Sequence, residues 1–99
     1  MPTAKASFES AEPAARNAAI VQAAKTRDAK SVPQLVRMLR SDDPATRVLA
    51  IRALEQITGH TLGFDAAGSD EQRARGIEAW EHSLAQPNAH AHPSGGPTP

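Results

Sequence analysis

Between Val32 and Gly59 the chain carries two apolar stripes at helical spacing, separated by a short polar turn. Val32, Leu35, Val36 and Leu39 follow the i, i+3, i+4, i+7 rhythm of a buried helix face, and Ala50, Ile51, Leu54 and Ile57 take up the same kind of stripe beyond Ser41-Asp42-Asp43-Pro44. A connection of about two to five residues forces the two helices to run antiparallel. The segment therefore predicts a helical hairpin, and everything else must pack around it.

Local punctuation supports this. Asp43 stands where an N-cap is wanted, with Pro44 at the first helical position, so the second helix is expected over 44–58. Gly59 follows at the C-cap, where a left-handed backbone suits glycine. Ser31 and Gln34 have capping-box spacing and are expected to open the first helix of the hairpin. Upstream, Ser10-Ala11-Glu12-Pro13 reads as another helix start, and the run from Ala14 to Lys25 places Ala15, Ala18, Ala19, Ile20 and Ala23 on one stripe. Downstream, the loop His60 to Gly68 holds Leu62 and Phe64. Ser69 and Gln72 repeat the capping-box spacing, and Ile77, Trp80 and Leu84 recur at helical intervals. Leu62 and Phe64 are expected to fold back over the end of the hairpin toward Trp80, giving Trp80 a place in the core and not at a binding surface. The organisation is then a flexible leader over 1–9, a helical domain over 10–85 with about four helices, and a disordered tail over 86–99 that is rich in Pro, Gly, His, Asn and Ser.

The stretch from Ser31 to Leu54 resembles a HEAT repeat. Val32-Pro33-Gln34-Leu35-Val36 with Leu39 carries the likeness in the first helix, Asp43-Pro44-Ala45-Thr46-Arg47 at the turn, and Ala50, Ala53 and Leu54 in the second helix. Arg16 to Ala24 looks like the second helix of a preceding, truncated repeat. Thr58-Gly59, Leu62-Gly63-Phe64-Asp65 and Trp80 resemble the ending of many bacterial HEAT-repeat proteins. The resemblance implies an all-α fold of antiparallel helical hairpins stacked as a short, armadillo-like α-solenoid. It also implies that Arg47 takes the part of the arginine that, with a turn aspartate, holds neighbouring repeats together. Ser41 stands where the earlier turn aspartate would fall, and Thr46 replaces the more usual valine, so the chain departs from the pattern at both positions.

Composition narrows the function. Lys plus Arg and Asp plus Glu stand at 11 each, and aromatics are limited to Phe8, Phe64 and Trp80. Neither total charge nor stacking residues point to nucleic acid, and no segment is long enough to span a bilayer. With no cysteine there is neither a disulfide nor a thiolate metal site. The first ten residues lack the apolar stretch of a secretory signal, and a cytoplasmic protein is the default expectation. Charge is uneven along the chain. From Lys5 to Arg52 there are nine basic and five acidic residues, and from Ala53 onward two and six. This split is either chance on solvated faces or a basis for attraction between copies or to a complementary partner.

Chemistry finds little purchase. His90 and His92 lie in the tail, His82 just before it and His60 in the loop, with no carboxylate fixed among them to complete a metal site. Asp42 and Asp43 sit at a helix start, where capping and the helix dipole account for both. No phosphate-cradling glycine motif is present. The expectation is a non-catalytic interaction module, an adaptor or scaffold piece with no cofactor, that binds a protein partner or a second copy of itself. Arg37, Arg40, Arg47, Arg52 and Glu55, on polar faces of the hairpin, are the candidate contact residues. Weak nucleic-acid binding through the basic half and regulation of a neighbouring enzyme are the alternatives.

Overall fold

Four α-helices and one 3-10 turn make up the computed structural model, which describes residues 8 and 10–86. The expectations for the leader and tail concern residues 1–7, 9 and 87–99 and lie outside the described residues.

The clearest local logic belongs to α3 (Pro44–Thr58). Asp43 has an extended backbone, and its Oδ1 accepts the Ala45 N–H at 3.0 Å, which satisfies one of the donors a helix start leaves free. At the other end Gly59 turns to φ 91°, and its N–H closes on the Glu55 carbonyl at 2.8 Å. The stripe predicted from spacing points inward: Ala50, Ile51 and Leu54 are buried, joined by Ala53, while Ile57 is half-buried.

Helix α1 (Pro13–Thr26) begins without a side-chain cap from Glu12; Ser10 Oγ instead accepts the Glu12 N–H at 3.0 Å. It ends at Arg27 in the left-handed conformation, and the N–H groups of Arg27 and Asp28 fold back onto Ala24 and Ala23 carbonyls. Ala19, Ile20 and Ala23 are buried, and Ala18, expected on the same stripe, is exposed.

The start of α2 (Val32–Met38) differs from the expected capping box. Ser31 is the last residue of a 3-10 turn, Ala29–Ser31, and its backbone is already helical. Asp28 is the cap. Its Oδ1 accepts the Lys30 N–H and its Oδ2 accepts the Ser31 hydroxyl, both at 3.0 Å. With its proton committed backward to a carboxylate and its backbone inside the helical region, Ser31 leaves Gln34 with no cap to answer. The stripe itself is as predicted: Val32, Leu35, Val36 and Leu39 are all buried. Three i→i−3 bonds, from Leu39, Arg40 and Ser41, tighten the exit into the turn.

The second capping box is complete. Ser69 Oγ accepts the Gln72 N–H at 3.1 Å, Gln72 Oε1 accepts the Ser69 N–H at 2.8 Å, and α4 (Asp70–Leu84) follows.

Two layers result. Helices α1 and α3 lie side by side and parallel: Arg16, near the start of α1, meets Thr46 near the start of α3, and Arg27, just past the end of α1, meets the Gln56 carbonyl near the end of α3. The antiparallel α2 packs under α3, and α4 leans mainly on α2. This is the short stack of helical hairpins expected from the sequence.

The loop between α3 and α4 closes the end of the stack. Trp80 is fully buried, and its Nε1 donates to the Thr61 carbonyl at 2.7 Å. Phe64 is buried as well, and Gly76 lets it approach: a Cβ on Gly76 would lie 2.8 Å from Phe64 Cα. That contact is with backbone, which cannot swing aside. Gly76→Ala should therefore cost about 1–3 kcal/mol through overpacking. Urea unfolding followed by Trp80 fluorescence would show it as a lowered midpoint; an unchanged midpoint would mean that Phe64 is not held against α4.

Candidate protein-binding surface

A polar node links the first turns of α1 and α3. Thr46 is fully buried, and its hydroxyl lies 2.8 Å from Asn17 Oδ1 and 3.1 Å from Asp43 Oδ2. One hydroxyl proton serves these two acceptors in turn. The same oxygen accepts from Arg16 Nη2 at 3.2 Å, and that guanidinium also stands 3.7 Å from Asp43 Oδ2. Asp43 N–H donates to Ser41 Oγ at 3.0 Å, so the turn is tied into the node too. Asp43 therefore caps its own helix and receives the arginine of the neighbouring one.

Sequence reasoning passed over Arg16 and Asn17. The signal was available, because Glu12-Pro13 followed by Arg16 and Ile20 repeats the spacing of Asp43-Pro44 followed by Arg47 and Ile51. Arg47 is the positional twin of Arg16. It lacks a facing carboxylate, and its Nη1 reaches the Ser41 carbonyl at 2.8 Å within its own repeat. Among the described residues the Nε of each twin is buried without a hydrogen-bond partner. The inter-repeat arginine contact implied for Arg47 is thus made by Arg16, and Ser41 gives Arg47 a backbone oxygen in place of a carboxylate.

The five candidate contact residues do not converge on one patch. The buried stripe of α2 faces α3, so exposed Arg37 and Arg40 stand on the outside of the α2/α4 layer. Arg40 spans to Glu81 of α4 in an exposed ion pair, joining the basic front of the chain to its acidic back. Exposed pairs of this kind contribute up to about 1 kcal/mol. Arg52 and Glu55 are exposed on the outer side of α3, in the other layer, together with Val48. Arg47 is half-buried at the turn.

Two shallow clefts lie among the described residues. A cleft of about 240 Å³ is lined by Leu62, Gly63, Asp65, Gln72, Arg75 and Gly76. A second, of about 210 Å³, runs along α1 and is lined by Phe8, Ala19, Gln22, Ala23, Thr26, Asp28 and Ser31. Neither gathers an acid, a base and a nucleophile. Among the described residues no three His, Asp or Glu side chains come together as a metal-binding set. His60 is exposed and lies against Trp80, ring centroids 5.5 Å apart. No helix among the described residues is long and apolar enough to cross a membrane.

A family model described as HEAT repeats matches residues 2–75, about three-quarters of the chain. Comparison with curated proteins and with solved structures finds no match.

The node makes a direct prediction. Thr46→Val keeps the shape of the side chain and removes the hydroxyl, leaving Asn17 Oδ1 without its donor and Arg16 Nη2 without its acceptor on Thr46. The expected loss is about 1–3 kcal/mol, the cost of an unmade buried hydrogen bond. Equilibrium denaturation would measure it; a variant as stable as the parent would show that the hydroxyl contributes only shape.

Proposed function

The chain belongs to the HEAT-repeat family, and we propose that it works as a non-catalytic protein-binding module, an adaptor or scaffold piece acting in the cytoplasm. The observation that carries this reading is the exposed outer edge of α3. Val48, Arg52 and Glu55 share that edge at i, i+4, i+7 spacing. Val48 is 37% exposed and, among the described residues, only Val21 on α1 joins it as a large apolar side chain left in water. An apolar side chain flanked by opposite charges is what a partner helix can both cover and orient on. Stacked helical hairpins offer such edges as continuous surfaces.

Of the five candidate residues, Arg52 and Glu55 are the ones this reading uses directly. Arg37 and Arg40 on the opposite layer form a secondary surface, and Arg47 sits at the margin of the α3 edge. The shallow clefts suit a partner surface better than a small substrate, which needs a pocket that encloses most of it.

The test is binding of a protein partner by the immobilised full chain after nuclease treatment, compared with the double variant Arg52→Glu, Glu55→Lys. The module reading expects retention by the parent and at least about a tenfold weakening in the double variant, the scale of losing about 1.4 kcal/mol. Retention that nuclease abolishes, or that collapses with moderate salt and depends on Arg37 and Arg40, would turn the assignment to nucleic acid. Retention that the double variant leaves intact would move the contact away from α3.

A further inference from the structure

We propose that Phe8 is a strap: it takes on α1 the place that Leu39 takes on α3, and it closes from within the chain the apolar face of α1 formed by Ala19 and Ala23. This face is not the one that the binding-module reading uses, so the two stand or fall separately. At one constant offset along the sequence, Phe8, Ser10, Glu12, Pro13, Arg16 and Ile20 fall on Leu39, Ser41, Asp43, Pro44, Arg47 and Ile51.

The correspondence holds in space as well. Ser10 Oγ accepts the Glu12 N–H at 3.0 Å and Ser41 Oγ accepts the Asp43 N–H at 3.0 Å, so the same small turn leads into each helix. Both helices then start at the proline that follows. Equal turns deliver the residue two places before the serine to the same side of each helix. For α3 that residue is Leu39, fully buried at the exit of α2. For α1 it is Phe8, half-buried and packed against the cluster that contains Ile20 and Ala23.

The receiving faces match too. Phe8 shares its cleft with Ala19, Gln22, Ala23 and Thr26 of α1. At the same offset these are Ala50, Ala53, Leu54 and Ile57 of α3, where the first three are fully buried, the fourth is half-buried, and α2 packs against the helix. The seat on α1 has Ala23 where α3 has Leu54, and the incoming side chain is Phe8 where the other is Leu39. Bulk lost from the seat is thus returned by the strap, which is how a close-packed contact keeps its volume.

The closure on α1 is the looser of the two. Ala19 and Ala23 are buried, but Gln22, Thr26 and Asp28 at the rim are exposed, and a cleft of about 210 Å³ remains beside Phe8. A half-covered side chain gains only part of what full burial of a phenylalanine gives. Phe8 therefore leaves its seat more often than Leu39 does, in a local opening that the rest of the domain does not share. An apolar face is what helical repeats stack through, and the strap governs how often this one is bare.

The test is limited trypsin digestion of the full chain, following cleavage after Lys5. Cutting there requires the neighbouring residues to come free, so its rate reports how often Phe8 is out of its seat. Phe8→Ala should be cut at least about tenfold faster than the parent. Phe8→Leu, which installs the residue found at the equivalent position, should stay close to the parent's rate. Ala19→Glu, which fills the seat and charges its floor, should free Lys5 as Phe8→Ala does. Unfolding followed by Trp80 should remain one cooperative transition in each variant, so that faster cutting reports a freed strap and not an unfolded domain. In the parent the Ala19 and Ala23 methyl signals should carry the ring-current displacement of Phe8 and lose it in Phe8→Leu. Cutting of Phe8→Ala at the parent's rate overturns the strap, and so do methyl signals indifferent to the residue at position 8. Phe8→Leu cut as fast as Phe8→Ala overturns the equivalence with Leu39.

Discussion

The Asp43 carboxylate carries two structural tasks at once, and the arrangement of the helices follows from their coincidence. One oxygen caps α3 by taking the Ala45 N–H; the other takes the Thr46 hydroxyl and faces the Arg16 guanidinium of α1. The cap decides where α3 begins. The arginine decides which turn of α1 lies beside that beginning. Helix start and inter-helix register are thereby fixed by the same side chain, and both helices run parallel from a common level. An apolar contact between two alanine-bearing helices has no such preference, because sliding one along the other exchanges one methyl for the next. The polar node supplies the specificity that small side chains lack.

The core itself is thin. Its large, fully buried side chains are Trp80, Ile20, Leu35, Leu39, Leu54 and Val36, with alanines filling much of the space between α1 and α3. Alanine brings the helices close at no cost in side-chain entropy but buries little apolar area in return. The far end of the stack is built on the opposite principle. There two of the chain's three aromatic residues are buried together with a glycine that makes room for one of them, and a tryptophan N–H finds a loop carbonyl. Local α3-to-α4 chain connectivity would hold this end only loosely; the bulk of Trp80 and Phe64 compensates for the few contacts α4 makes elsewhere.

Much of this was legible in the residues. The bounds of α3 follow from Asp43-Pro44 at one end and Gly59 at the other, because each of those residues solves a problem that only a helix terminus poses. The α4 start follows from Ser69 and Gln72 for the same reason. The identical spacing at Ser31 and Gln34 failed because Asp28, three residues upstream, is the stronger acceptor and drew the Ser31 hydroxyl into a 3-10 turn. Capping residues compete, and spacing alone does not record the competitor. The candidate surface was less legible than the fold. Helical periodicity says that Arg37, Arg40 and Arg52 avoid their own helix's buried stripe, but two packed layers have two outsides, and the period does not say which residues share one. Arg47 illustrates the same limit: its family role lay in facing a carboxylate, and only the packing shows that Arg16 has one.

Among the described residues α4 packs on the layer that contains α2, where Arg40 and Glu81 join the two helices, and Val48, Arg52 and Glu55 of α3 stand in water. A single valine offers little apolar area to cover, so the hydrophobic gain of any contact on this edge is small. Selectivity there has to come from the placement of the charges beside the valine, because opposite charges fix register where apolar bulk is too slight to do so.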